Sequence, residues 1–167
     1  FTATLGDSEG NIYRKIEGKF ASISLSVLRD WSSPKEAKRA AETLRDPLVE
    51  QTWPLASKPK KLRIRGLNIS RTLGDFYIKT AQLESPGVIH KPKITMFHLE
   101  HGDILTLACD GLKDYAGEQE ILKTLNALTC EDSPAETLGS LALSKMNPTQ
   151  GDNITIIALN ILGRDYI

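Results

Sequence analysis

The clearest hydrophobic run in the chain is Ile104-Leu105-Thr106-Leu107-Ala108-Cys109, bounded by Asp103 before it and Asp110-Gly111 after it. Six mostly apolar residues are too few for a helix but suit a strand that is buried on both faces. A strand ending in Asp-Gly delivers a carboxylate to the edge of a sheet, although this dipeptide is also a common turn former. We therefore predict a fully buried strand with Asp110 at its end.

Other segments also show the alternation of strands. Phe1 to Leu5 and Ile12 to Ile16 flank a loop rich in turn-forming residues, which predicts a β-hairpin. From Phe20 to Val27, apolar and serine positions alternate, as in a strand with one solvated face. A final apolar run, Ile154 to Leu162, predicts another buried strand.

Three segments have helical spacing. Ser33-Pro34-Lys35-Glu36 is a capping box with proline at the first helical position, and Ser133-Pro134-Ala135-Glu136 repeats that pattern. Apolar residues between Ile121 and Leu128 recur at the period of an amphipathic helix. Residues 47–61 carry three prolines and several lysines, which predicts a solvated loop, with a phosphate-attracting rim as the functional alternative.

Composition narrows the class of protein. The chain has 167 residues, of which 40% are hydrophobic, so it is long enough for one domain with a real core. Lys and Arg number 21 and Asp and Glu number 21, so no overall field favours nucleic acid or an anionic membrane. No run is long enough to span a membrane. The two cysteines, Cys109 and Cys130, suggest reduced thiols and an intracellular, cytoplasmic setting.

The candidate chemistry lies in aspartates. Asp7, Asp110 and Asp152 each stand beside glycine where a strand begins or ends, and Asp114 follows Asp110 at a spacing that aligns two side chains on a helix. Carboxylate and water oxygens are preferred by hard divalent ions such as Mg²⁺ and Mn²⁺. The pattern fits a water-rich Mg²⁺ or Mn²⁺ site better than zinc. Turn formation is the alternative role for each aspartate.

Four motifs occur in a definite order along the chain. They are Gly6-Asp7-Ser8, Ser70-Arg71-Thr72-Leu73-Gly74-Asp75-Phe76, Leu107 to Asp114, and Gly151-Asp152-Asn153-Ile154-Thr155. In this order they resemble the later motifs of the metal-dependent protein serine/threonine phosphatases, the type 2C family. Each motif alone is weak, but four in order across nearly the whole chain make a specific signal.

The resemblance implies an α+β fold, an antiparallel β-sandwich flanked by helices, of which residues 1–167 form the C-terminal portion. It implies two or more Mg²⁺ or Mn²⁺ ions, with Asp110 and Asp152 as ligands of the catalytic pair and Asp7 and Asp114 as ligands of a weaker third ion. The implied reaction is hydrolysis of phosphoserine and phosphothreonine in proteins by a metal-activated water, without a phosphoenzyme. Ser70, Arg71, Gly74 and Asp75 fall in a motif expected to be structural, although direct phosphate binding is the alternative for Arg71.

The chain also departs from the family pattern. The family's Asp-Gly-His-Gly-Gly segment, whose first aspartate bridges two metals, and an upstream phosphate-binding arginine have no counterpart here, and Trp31 stands where a histidine is usual. We therefore expect a preceding segment or a second chain to supply the first half of the domain. We expect the isolated chain to bind metal weakly and to hydrolyse little.

Two other readings compete with this one. A haloacid-dehalogenase-like phosphatase also places aspartate after a buried strand, but it needs a second acid two residues later, and Leu112 stands there. A pseudophosphatase or regulatory module would keep the fold and bind a partner without catalysis. The retained Asp110, Asp114 and Asp152 argue against that alternative, and the absent first half leaves it open.

Overall fold

The structure, a computed structural model, contains eight strands and five helices in the part of the chain it describes, residues 1–27, 29–43, 49–51, 61–64, 66–80, 87–149 and 151–162. The strands are β1 Thr2–Thr4, β2 Glu9–Ile16, β3 Lys19–Ser24, β4 Val49–Gln51, β5 Lys61–Arg63, β6 Lys93–Thr95, β7 Ile104–Ala108 and β8 Ile156–Asn160. The helices are α1 Pro34–Thr43, α2 Phe76–Thr80, α3 Asp110–Tyr115, α4 Glu118–Asn126 and α5 Pro134–Lys145. None of these helices is long and apolar enough to cross a bilayer.

The chain divides into two compact units. The first, called the sheet unit here, comprises Phe1–Thr2, Ser8–Val27 and Thr95–Ile167. The second, called the insert unit, comprises Ala3–Asp7 and Leu28–Ile94.

A four-stranded antiparallel sheet with the order β3-β2-β7-β8 forms the frame of the sheet unit. In its register Leu105 pairs with Ile12 on one side and with Leu159 on the other. One face of the sheet packs against α3, α4 and α5, and together they form a hydrophobic core. Its buried members are Tyr13, Ile104, Ala108, Leu112, Ala116, Ile121, Leu125, Leu138 and Ala142.

The prediction that the central strand is buried on both faces is wrong for the described chain. Along β7, Ile104, Thr106 and Ala108 are buried, whereas Leu107 is 45% exposed. The neighbouring strand β8 repeats this, with Ile157 and Leu159 each about half exposed. Successive strand residues point to opposite faces of a sheet. A mostly apolar strand therefore has two apolar faces, and in the described chain the helices cover only one of them.

The predicted N-terminal hairpin is also wrong. β1 pairs with β6, and the hairpin instead joins β2 to β3, with Ile16 opposite Lys19. The two turn residues, Glu17 and Gly18, both have positive φ, at 51° and 81°. A two-residue turn with positive φ at both positions matches the right-handed twist of paired strands. The hairpin therefore forms at this turn and not at the longer glycine-rich loop nearer the N-terminus.

Gly18 yields a first testable prediction. We expect Gly18→Ala to lower the free energy of unfolding by about 1 kcal/mol, because a Cβ is disfavoured at positive φ. Steric overlap adds nothing, since no described residue beyond the two chain neighbours has an atom within 4 Å of the added carbon. Gly18→Asn should lose less, since asparagine tolerates this conformation. Urea denaturation followed by circular dichroism measures both. Equal losses in the two variants would contradict the conformational explanation.

The insert unit has a smaller core of its own. Trp31, Ile64, Ile78 and Val88 are buried together, and the Trp31 indole N–H donates to the carbonyl of Leu67 over 3.0 Å. Helix α1 begins at Pro34 as predicted, whereas its predicted end at Asp46-Pro47 lies outside the described residues.

The predicted loop over residues 47–61 is corrected at both of its ends. There the antiparallel strands β4 and β5 pair, with Val49 opposite Arg63. The short helix α2 was not predicted, because five residues give too little periodicity to recognise. The lysines at 58 and 60 lie outside the described residues, so the phosphate-attracting rim stays a prediction.

Candidate metal centre

Two of the predicted ligands lie on α3. This helix begins directly after β7, with Cys109 as its N-cap residue and Asp110 in its first turn. The four-residue spacing places Asp114 above Asp110 on the same side of the helix. The local sequence therefore brings two carboxylates together at the end of the central strand.

The third carboxylate lies in the segment that leads into the last strand, β8. β7 and β8 are antiparallel, with Ala108 opposite Ile156, so the end of β7 and the start of β8 meet at the same edge of the sheet. Asp152 lies just before β8 and reaches that edge. Asp110, Asp114 and Asp152 each offer a carboxylate oxygen, and these oxygens all lie within 4.8 Å of one another. We call these three residues the acidic cluster.

The acidic cluster has a donor set suited to a hard divalent ion. Asp110 is half-buried, and Asp114 and Asp152 are exposed, so water can complete the coordination. Opposite ligand oxygens around Mg²⁺ lie about 4.2 Å apart, since each Mg–O bond is about 2.1 Å. Only one pair among three ligand oxygens can be opposite, so oxygens within 4.8 Å of one another fit a Mg²⁺ or Mn²⁺ ion that some carboxylates hold directly and others through water.

The segment that carries Asp152 lies very close to α3. A Cβ added to Gly111 would lie 2.2 Å from the carbonyl oxygen of Asn153, so glycine is required for this approach. The backbone N–H of Cys109 donates to the carbonyl of Thr155 over 3.2 Å. The glycine of the Asp-Gly dipeptide therefore allows the segment after Asp152 to pack closely beside the cluster.

Asp7, the fourth predicted ligand, belongs to the insert unit. Its carboxylate accepts a hydrogen bond from the side-chain amide of Asn68 over 3.3 Å. It precedes β2 and follows Gly6, whose φ is 73°. Its role as a metal ligand stays a prediction.

Ser70 and Arg71 both contact Glu36, a residue for which the sequence predicts a helix cap and no other role. The Ser70 hydroxyl donates to Glu36 over 2.6 Å, and Arg71 donates to both oxygens of the same carboxylate over 2.6 and 3.2 Å. Arg39 and Arg29 also pair with Glu36, at 2.5 and 3.4 Å. We call Glu36 with these four partners the Glu36 cluster.

Glu36 was predicted to close a capping box at the start of α1, and this is wrong. The backbone N–H of Ser33 donates to the carbonyl of Asp30 instead. The side chain of Glu36 is turned into the unit and is almost fully buried. Burial would raise its pKa, but hydrogen bonds from Arg71, Ser70 and Arg39 outweigh burial and lower the pKa to about 2. Glu36 therefore stays ionised.

Gly74 and Asp75 lie at the start of α2. The carbonyl of Gly74 accepts hydrogen bonds from the Thr72 hydroxyl and from the Lys79 ammonium, at 3.0 and 2.6 Å. Asp75 has a φ of 57°, and its carbonyl accepts from the backbone N–H of Ile78. Both residues thus take part in the turn that begins this helix.

Comparison with known proteins decides the family. The family model described as Protein phosphatase 2C matches residues 1–154. The chain belongs to the protein phosphatase 2C family. Protein phosphatase 2C homolog 1 of Schizosaccharomyces pombe is 28% identical over 162 residues, covering 96% of this chain and 40% of that protein. The chain thus spans less than half of the length of this 2C relative.

Solved structures share the fold. A phosphatase from Toxoplasma gondii has a TM-score of 0.72 at 20% identity, covering 96% of this chain and 43% of that one. The catalytic domain of the serine/threonine protein phosphatase PstP, in complex with two manganese ions, has a TM-score of 0.54 at 19% identity, covering 96% and 53%. The predicted α+β class with antiparallel sheets and flanking helices, the type 2C fold, is confirmed.

Proposed function

We propose that residues 1–167 form the C-terminal portion of a metal-dependent protein phosphatase domain that hydrolyses phosphoserine and phosphothreonine. The observation that carries this proposal is the convergence of Asp110, Asp114 and Asp152 in a chain of the protein phosphatase 2C family. The manganese-bound PstP domain, which shares the fold, supports a divalent cation as cofactor. Mg²⁺ and Mn²⁺ both suit the oxygen ligands.

The chain contributes three carboxylates to the proposed metal site and holds them close together. Three carboxylates gathered at one sheet edge repel one another, and a divalent cation offsets that repulsion. When bound, such ions supply a water nucleophile near neutral pH and stabilise charge on phosphoryl oxygens. Asp110, fixed by the helix that follows the central strand, and Asp152, fixed beside it, orient the ligand oxygens before any substrate arrives.

The apolar face of the sheet supports a further part of the proposal. Leu107, Ile157 and Leu159 expose 45–53% of their surface on one face of β7 and β8. Contiguous apolar surface of this kind favours burial against a partner. We propose that a preceding segment or a second chain covers this face and supplies the missing metal-bridging aspartate and phosphate-binding arginine. Ser70, Arg71, Gly74 and Asp75 keep the structural role proposed for them.

Metal binding by the chain itself tests the acidic cluster. We expect Asp110→Asn to weaken Mn²⁺ binding at least tenfold, because it removes the most buried of the three charges. Titration followed by the electron paramagnetic resonance of free Mn²⁺ measures weak affinities directly. Glu131→Gln, an exposed glutamate outside the cluster, is the control and should leave binding unchanged.

Hydrolysis of an aryl phosphate tests the division of the site. With Mn²⁺ present, we expect the isolated chain to show little activity, because two cations without a bridging carboxylate are poorly compensated. Robust activity that disappears in Asp110→Asn would show that this chain holds a complete site. Mn²⁺ affinity that is the same in Asp110→Asn and in the native chain would contradict the metal site altogether.

A further inference from the structure

Two side chains outside the acidic cluster grip the segment that carries Asp152. The backbone N–H of Asp152 donates to the hydroxyl oxygen of Tyr115 over 3.0 Å. One residue further on, the carbonyl of Asn153 accepts a hydrogen bond from the Cys109 thiol over 3.1 Å, and the backbone N–H of Thr155 donates to the same sulfur over 3.2 Å. The contacts therefore lie at Asp152 itself and on the residues that follow it.

Tyr115 is suited to hold a backbone in place. It ends α3 directly after Asp114, and its ring packs against the core of the sheet unit. The hydroxyl is therefore carried by a fixed, half-buried ring at the edge of the cluster. A backbone group bound to such a hydroxyl loses the freedom that an exposed loop otherwise has.

Cys109 acts from the other side of the segment. It is the N-cap residue of α3, immediately before Asp110, and its sulfur both donates and accepts a hydrogen bond with the segment leading into β8. One thiol has one proton to donate and lone pairs to accept, so it can make both of these hydrogen bonds at once. Residues next to Asp110 and Asp114 in sequence thus contact the backbone of the segment that carries the third carboxylate.

We infer that Tyr115 and Cys109 are positioning residues, which hold Asp152 at ligating distance from Asp110 and Asp114. The inference rests on the metal site proposed above and adds two residues that ligate no ion. Within the segment, the backbone N–H of Asn153 donates to a carboxylate oxygen of Asp152 over 2.8 Å, so fixing the backbone also restrains the carboxylate. Removing a group that orients a metal ligand in this way commonly lowers metal affinity by about 10- to 100-fold.

The test is Mn²⁺ titration of the chain by electron paramagnetic resonance, with Tyr115→Phe, Cys109→Ala and Cys109→Ser beside Asp110→Asn. We expect Tyr115→Phe and Cys109→Ala each to weaken Mn²⁺ binding about tenfold. Cys109→Ser keeps a donor and an acceptor, so it should recover most of the affinity lost in Cys109→Ala. Tyr77→Phe, an exposed tyrosine on α2, is the matched control and should bind as the native chain does.

Thermal unfolding of each variant separates positioning from folding. Asp152 is exposed, so water can replace the Tyr115 hydroxyl, and the unfolding temperature of Tyr115→Phe should change little. Unchanged affinity in Tyr115→Phe and in Cys109→Ala, with Asp110→Asn still weakened, would overturn the inference and leave the metal site standing. Equal affinity in Asp110→Asn and the native chain would overturn both. If Tyr115→Phe fails to fold, the Cys109 pair decides, and equal affinity in Cys109→Ala and Cys109→Ser overturns the inference.

Discussion

Replacing Gly111 with alanine is expected to lower the free energy of unfolding by about 2–3 kcal/mol and to weaken Mn²⁺ binding more than tenfold. The added Cβ would lie 2.2 Å from the carbonyl oxygen of Asn153 and 3.3 Å from a side-chain carbon of Ile154. A backbone carbonyl cannot turn away as a flexible side chain can. The segment carrying Asp152 must therefore move off α3, and the contacts of Cys109 and Tyr115 with it are lost.

Helix propensity predicts the opposite sign for this substitution. Gly111 is a helical residue and its φ is not positive, so alanine suits its backbone conformation and would by itself stabilise α3 by about 1 kcal/mol. The steric clash has to exceed that gain. The expected destabilisation is therefore a direct measure of how closely the Asp152 segment approaches the helix.

Gly139→Ala supplies the matched control. Gly139 lies inside α5, and apart from its chain neighbours and the backbone of its own helix, no described residue has an atom within 4 Å of a Cβ added there. We expect this variant to unfold at the same or a higher urea concentration and to bind Mn²⁺ as the native chain does. Circular dichroism and Mn²⁺ titration of the two variants give the comparison. Stabilisation by both alanines would show that the Asp152 segment does not press on α3.

Replacing Glu36 with glutamine is expected to lower the free energy of unfolding by about 3–5 kcal/mol. The carboxylate is almost fully buried and receives hydrogen bonds from Ser70, Arg39 and Arg71. Glutamine has nearly the same shape, but it removes the negative charge that the surrounding guanidinium groups share. Those cations then remain in a poorly solvated site with their charge uncompensated.

The same residue predicts how stability depends on pH. The pKa of Glu36 is lowered from 4.5 to about 2, so its charged form is favoured by folding. A carboxyl group whose pKa is lower in the folded state stabilises that state at pH values above its unfolded-state pKa. This stabilisation is lost as the pH falls from 4.5 towards 2. The contribution amounts to about 3 kcal/mol at neutral pH.

Urea denaturation at pH 7 and at pH 3 measures both effects, with tryptophan fluorescence as the signal because Trp31 is buried in the same unit. The difference between the native chain and Glu36→Gln should be large at pH 7 and smaller at pH 3. Glu118→Gln, an exposed glutamate in the first turn of α4, is the control and should change stability little at either pH. A difference that stays constant between the two pH values would contradict the charged state of Glu36.

Local pattern was enough to predict the elements that carry the acidic cluster. The run from Ile104 to Ala108 is β7, and the capping pattern at Ser133 starts α5, where the Ser133 hydroxyl accepts from the backbone of Glu136. Asp110 follows this strand and lies in the first turn of α3, so the predicted position of its carboxylate at the sheet edge is close to the one observed. The motif order also pointed to the 2C family, because motif residues are read without knowing their neighbours in space.

Pairing between distant segments was not readable from the same pattern. The turn at Glu17 and Gly18, rather than the longer glycine-rich loop, joins the first hairpin, and β1 pairs with β6 from far along the chain. Burial of only one face of β7 likewise depends on which side the helices cover. Sequence alternation marks faces but does not say what packs against them.

Residue types and their spacing were enough to predict which aspartates could ligate a metal and which family the chain belongs to. Both predictions depend only on local chemistry and on order along the chain. Only the folded chain determined that Asp152 joins Asp110 and Asp114, that Tyr115 and Cys109 contact its segment, and that Glu36 is buried among arginines. The contacts of the Asp152 segment with Tyr115 and Cys109, and that of Glu36 with Arg71, join residues between 35 and 46 positions apart. Such distances are fixed by strand register and helix packing, which no local pattern encodes.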